Sequence, residues 1–98
     1  AAKTAVAHRF EIAGQSCAAV KKLYVHSDIK KEFTEMLLER VGAIALGDPR
    51  DPATVMGPVI DNAAAEEVAA RLKEAVSLNG KIIAGGKNDK TSFQPVIG

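Results

Sequence analysis

The sequence predicts an α/β fold, with helices packed on a small, mostly parallel sheet. Three observations predict it. Residues 22–26 and 81–84 are short β-rich runs of the kind that form buried strands. Two helical patterns lie between them, and a strand-to-strand crossover through helices implies parallel pairing. Glycine and proline at Gly14, Gly47, Pro49, Pro52 and Gly85-Gly86 punctuate the elements.

Each element follows from local chemistry. Residues 1–12 are rich in helix-forming alanine, with Val6 and Phe10 four apart, which predicts a short helix. Gly14 permits a tight turn across residues 13–17. Residues 22–26 then form the first strand. Ser27-Asp28 is a helix N-cap signal. Ile29, Phe33, Leu37, Val41 and Ile44 recur at spacings of four or three, which makes one apolar stripe. Gly47 stops this helix, and Pro49 and Pro52 forbid its resumption. Residues 47–61 form a long connection, and such loops are usually packed or functional.

Asp61-Asn62 opens the next helix, with Glu66 and Glu67 early in it, where negative charge suits the macrodipole. Val68, Leu72 and Val76, with Ala65, Ala69 and Ala75, make its buried face, and Gly80 ends it. Residues 81–84 form the second strand, closed by Gly85-Gly86. Residues 87–92 are a polar loop. Residues 93–97 are extended, with Pro95 implying an edge or irregular position.

Composition bounds what this layer can do. The 98 residues support one domain at most, or a piece of one. Apolar residues make up 47%, but seventeen are alanine, and there are three Phe, one Tyr and no Trp. Alanine buries little area, so the core is expected to be thin and to need a partner surface. The chain does not begin with Met and is expected to be an excised piece. A net charge of +1 argues against a nucleic-acid partner. No apolar run approaches the ~18 residues of a membrane span, so no membrane partner is expected. Residues 1–7 lack signal-peptide architecture. The single cysteine cannot form an internal disulfide, and the expected setting is the reducing cytoplasm.

Cys17 is the sharpest chemical feature. It follows a glycine turn and precedes a strand. One reading is a buried small hydrophobe. The other is a thiolate nucleophile, exposed at the junction and activated by backbone N–H groups. His8 and His26 are the only histidines that could serve it as a base, and no orienting third residue is evident. These residues are too few and scattered for a zinc site, so no metal is expected. Gly85-Gly86-Lys87 fails as a phosphate loop, because position 81 is lysine and position 88 asparagine. Glu66 and Glu67 are adjacent on a helix and do not face one another, so they form no carboxylate dyad.

Phe10-Glu11-Ile12-Ala13-Gly14-Gln15-Ser16-Cys17 resembles the active-site cysteine segment of the aldehyde dehydrogenase superfamily, with its G-Q-x-C motif. The rest of the chain is similar in order and spacing. Residues 22–26 resemble the strand after the cysteine, and Ser27-Asp28-Ile29 through Phe33 the start of the next helix. Gly47-Asp48-Pro49, Asp51 and Gly57-Pro58 resemble the family's G-D-P…D…G-P loop. Residues 80–86 and 93–97 resemble its later strand segments, although Pro95-Val96 stands where a threonine usually intervenes.

The resemblance implies a partial catalytic domain spanning residues 1–98, with the NAD(P)-binding and oligomerisation parts absent. It implies that Cys17 attacks the aldehyde carbon, that the thiohemiacetal gives hydride to NAD or NADP, and that a glutamate-activated water hydrolyses the thioester. Cys17's own N–H would be one oxyanion donor, and Ser16 and Ala18 would flank Cys17 and line the substrate pocket. The family's general-base glutamate, its oxyanion-hole asparagine and most of its dinucleotide-binding domain lie outside this stretch. Ala64 and Glu67 occupy positions where some members contact the cofactor ribose, and that role does not carry over. Residues 14–22 look most like bacterial and archaeal enzymes acting on small semialdehydes or hydroxyaldehydes. The parent is expected to be a homo-oligomer acting on a small-molecule aldehyde, and the chain alone to be inactive. Two alternatives stand beside this reading: a stand-alone α/β structural or binding module with an inert cysteine, and a piece of an acyl-phosphate reductase relative.

Overall fold

The computed structural model describes residues 1–86. The expected polar loop at 87–92 and extended piece at 93–97 lie outside the described residues. Helix α1 spans Ala2–Phe10 and runs into a 3₁₀ turn at Glu11–Gly14. Within that turn Ile12, Ala13 and Gly14 all take positive φ, at 50°, 54° and 76°. Left-handed backbone costs a non-glycine residue of order 1–3 kcal/mol, so two such residues in a row need surrounding support.

Helix α2 spans Lys30–Gly42, after a 3₁₀ turn at Ser27–Ile29. The 3₁₀ turn is capped by His26, one residue before the Ser27-Asp28 signal, and α2 itself follows Ile29 with no side-chain cap. His26 Nδ1 accepts the Asp28 N–H at 3.3 Å, while the Ser27 hydroxyl donates to Asp28 Oδ1. The helix also ends five residues before Gly47. The N–H of Ala43 reaches the Glu39 carbonyl and that of Ile44 reaches Val41, which tightens and closes the last turn. Of the predicted stripe, Leu37 and Val41 are buried, Phe33 and Ile44 are half-buried, and Ile29 is exposed.

The connection to α3 folds back on itself. Leu46 and Met56 form a parallel bridge, and the N–H groups of Val55 and Met56 both reach the Ala45 carbonyl, at 2.9 and 3.0 Å. Inside this loop Arg50 is paired with Asp48, its Nε donating to Oδ1 at 2.9 Å. The guanidinium and the Arg50 N–H hold the Asp48 carboxyl below its ordinary value of 3.8, and Asp48 in turn raises Arg50. Helix α3 spans Asn62–Ser77 and is capped by Asp61, whose Oδ1 accepts the Ala64 N–H at 2.8 Å. The Asp61 signal is therefore read correctly from sequence. Glu67 and Arg71 form an i,i+4 pair on its exposed face.

Helices α1 and α2 pack on each other, whereas α3 packs against neither. The buried core is Ala2, Ala19, Leu37, Val41 and Met56, and no residue of α3 is fully buried. Leu72 on α3 instead lies beside Gly86 and Ile82 on the returning chain. Among the described residues twelve large apolar side chains stay exposed, including Tyr24 at 93% and Ile60 at 84%. The thin core expected from the alanine-rich composition is thus observed.

The sheet is the main departure. Residues 22–26 and 81–83 carry no regular secondary structure, and no strand ladder forms among the described residues. The physical reason is that a strand exists only through its neighbours' hydrogen bonds. These two segments do not pair with each other. Both instead line one open groove of about 1000 Å³, between α1 and α2, with Val6, Phe10 and Phe33 on its helical side.

Candidate functional site: the Cys17 turn

The cysteine turn is built from its ends inward. Gly14 leaves α1's terminal turn at φ 76°, where a Cβ would sit 3.1 Å from the Arg9 carbonyl oxygen and 3.3 Å from Arg9 Nη2. Only glycine fits that approach without displacement. Beyond it, Ser16 through Ala19 form a tight turn, with the Ala19 N–H donating to the Ser16 carbonyl at 3.1 Å. The Ala18 N–H donates to Ser16 Oγ at 3.3 Å, a serine turn that fixes the same bend. Cys17 and Ala18 occupy its two central positions. Ala19 is buried at 6% exposure and anchors the turn in the core.

Cys17 is a free thiol and exposed. The reading of Cys17 as a buried small hydrophobe is therefore excluded for this chain. Two cationic side chains hold the turn by its carbonyls. Lys21 Nζ donates to the Cys17 carbonyl at 3.2 Å, and Arg9 Nη1 donates to the Val20 carbonyl at 3.4 Å. Among the described residues, the Cys17 N–H has no acceptor and Sγ has no hydrogen-bond partner. Ser16 is half-buried and Ala18 exposed, both flanking Cys17. None of the three lines the open groove, which takes in Arg9 and Phe10 before the turn and Val20 and Lys21 after it.

The histidines play other parts. His8 is exposed on α1. His26 Nδ1 is occupied by the Asp28 N–H and lies 3.5 Å from Asp28 Oδ2. Neither is hydrogen-bonded to Cys17. Among the described residues no group of three His, Cys, Asp or Glu side chains could hold a metal ion. No helix among them is long and apolar enough to cross a membrane.

The described residues do not fit a dinucleotide. Such a cofactor places its phosphates on a glycine-rich turn that opens a helix. Here the N-terminus of α3 is already filled by the Asp61 carboxylate, and α2 begins from a turn carrying Asp28 with Glu32 beyond it. Those carboxylates repel a phosphate.

Sequence reasoning missed three holders of the turn, Arg9, Gln15 and Lys21. Lys21 lies four residues after Cys17, a spacing that carries no signal outside a helix. Gln15 stood inside the quoted motif, but its partner Ile60 is 45 residues away.

Comparison with known proteins gives a consistent result. The aldehyde dehydrogenase family model matches residues 1–97. A succinate-semialdehyde dehydrogenase [NADP(+)] of Mycobacterium avium is 40% identical over 87 residues, covering 89% of this chain and 18% of that protein. A sulfoacetaldehyde dehydrogenase of Neptuniibacter caesariensis is 31% identical over 97 residues, covering 99% of this chain and 21% of that protein. Among solved structures, a glyceraldehyde-3-phosphate dehydrogenase of Methanocaldococcus jannaschii complexed with NADP superposes with a TM-score of 0.94 at 33% identity. It covers 98% of this chain and 21% of that one. Aldehyde dehydrogenase 21 of Physcomitrella patens, in complex with the reaction product succinate, gives a TM-score of 0.92 at 30% identity, covering 97% and 20%. The chain thus spans about a fifth of the length of the relatives it matches.

Proposed function

Because the chain belongs to the aldehyde dehydrogenase family, we propose that it is the cysteine-bearing part of the catalytic domain of an NAD(P)-dependent aldehyde dehydrogenase. The reaction is oxidation of an aldehyde to a carboxylic acid. The observation that carries the reading is the exposed Cys17 thiol at the tip of a turn whose own N–H is free among the described residues.

The chemistry follows from that geometry. The Cys17 thiolate attacks the aldehyde carbon. A C–S bond forms, and the carbonyl π pair moves to oxygen. The resulting oxyanion is stabilised by a donor aimed at it, and the Cys17 N–H is that donor, since the Ala18 N–H is taken by Ser16 Oγ. Oxidation of the thiohemiacetal to a thioester needs a hydride acceptor, and NAD(P)+ supplies that chemistry when bound. Water then releases the acid and returns the thiol. The cofactor site, the base that activates water and the oligomerisation part belong to the remaining length of the enzyme. Residues 22–26 and 81–84 are strands of its sheet, a reading supported by their sharing one groove. The enzyme is a cytoplasmic homo-oligomer. The names of the relatives support a small semialdehyde as substrate.

The test is Cys17→Ser in the complete enzyme. Turnover is expected to fall by more than about 10³-fold, the scale of losing a nucleophile. Retained aldehyde oxidation by that variant would overturn the assignment. The 98-residue chain alone is expected to give no sustained NAD(P)H production.

A further inference from the structure

We propose that Gln15 is a positioning residue that ties the Cys17 turn to the loop leading into α3. The proposal rests on Cys17 being the nucleophile. The Gln15 side chain is engaged at both ends. Nε2 donates to the Ile12 carbonyl at 3.1 Å, and Oε1 accepts the Ile60 N–H at 2.9 Å. Reversing the amide would set donor against donor at Ile60 and acceptor against acceptor at Ile12, so these partners fix its orientation.

Both attachments matter for the thiol. Ile12 opens the left-handed run, and its carbonyl also receives the Gln15 backbone N–H at 3.1 Å. One carbonyl thus takes two bonds from one residue and clamps the strained backbone two residues before Ser16. Ile60 immediately precedes Asp61, the cap of α3. Its side chain is 84% exposed, so no side-chain burial pins that point of the loop, and the bond to Gln15 does. The direction of the Cys17 turn therefore depends on a segment 45 residues away. A nucleophile displaced by about 1 Å can lose on the order of 10²-fold in rate, so such a fastening bears directly on catalysis.

The experiment is residue-resolved amide hydrogen exchange on the complete enzyme, comparing wild type with Gln15→Met and Gln15→Glu. Met keeps the length and removes both polar atoms. Glu keeps an acceptor for Ile60. In Gln15→Met, exchange is expected to rise about five- to tenfold at Ile60, the size of one lost hydrogen bond. It should also rise at Ala19, whose amide closes the cysteine turn without touching Gln15. Leu37 and Val41 in α2 should be unchanged. Gln15→Glu keeps the acceptor for Ile60 but sets a carboxylate oxygen against the Ile12 carbonyl, so it should restore protection at Ile60 and leave exchange at Ala19 raised. An unchanged Ile60, or a rise at Ile60 with Ala19 unmoved, overturns the proposal. If Gln15→Met melts α2 as well, Gln15→Glu against wild type decides: protection kept at Ile60 with faster exchange at Ala19 supports it, and Ala19 unmoved or Ile60 deprotected overturns it. In the complete enzyme, Gln15→Met should lower kcat roughly tenfold or more with the cofactor KM unchanged. An active Cys17→Ser enzyme would defeat the nucleophile assignment while leaving the exchange result intact, so the two failures are separable.

Discussion

Gly80 donates its N–H to the Ala75 carbonyl at 2.8 Å, and a Cβ on Gly80 would lie 2.5 Å from that same oxygen. Together with the Asn79 N–H reaching the Val76 carbonyl at 3.1 Å, this closes α3 in a Schellman motif. Asn79, at φ 70°, takes the left-handed position. Gly80 is required for closeness of approach.

Gly80→Ala is therefore expected to open the end of α3 and cost about 1–3 kcal/mol, the range for forcing backbone into a strained arrangement. Faster amide exchange at Asn79 and Gly80, with a lower urea midpoint, checks it. An unchanged midpoint would show that the loop shifts aside freely.

Leu37→Ala removes one of the few sizeable side chains in the core. The expected loss is about 2–5 kcal/mol, as for other buried leucines. With only Ala2, Ala19, Val41 and Met56 buried beside it among the described residues, cooperative unfolding should disappear. A sharp urea transition retained in the variant would mean that α1 and α2 are held by other forces.

The sequence made some of this visible. The Leu37 and Val41 stripe and the Asp61 cap are local patterns, and both form as read. The α2 boundaries moved because His26 and a tightened last turn compete with the nearby Ser27 and Gly47 signals. The strands at 22–26 and 81–84 carry β-rich sequences, yet ladder formation depends on neighbours that local sequence does not specify. The Cys17 turn was legible from Gly14 and the motif around it. The Gln15–Ile60 bond was not, since nothing at either position signals a partner 45 residues away.

The Asp48–Arg50 pair gives a pH prediction with a definite sign. Asp48 is held below its ordinary 3.8 in the folded loop. Its contribution is therefore present above that ordinary value and is lost as pH falls through the lowered one. The pair is exposed, so the effect should be small and weakened by salt. An NMR titration of the Asp48 carboxyl should give a midpoint below 3.8, and Arg50→Ala should return it upward. A wild-type midpoint at or above 3.8 would sink the idea.

The exposed apolar side chains predict the chain's behaviour in isolation. Tyr24, Leu23, Ile82 and Ile83 are exposed, on segments that form no strand ladder among the described residues. The isolated chain should bind a hydrophobic dye and self-associate as its concentration rises. Sedimentation velocity checks this, and a monomer at high concentration without dye binding would contradict it.

The separation of α3 from α1 and α2 has a consequence for how the molecule comes apart. Among the described residues, its attachments are the Ile60 bond at one end and the Gly80–Gly86 return at the other. Such a segment opens as a foldon of its own, while the α1–α2 pair keeps its packing. A protease would then meet the chain first near residues 60 and 80, and the fragment left behind would keep the α1–α2 pair but lose the Ile60 tie to the cysteine turn.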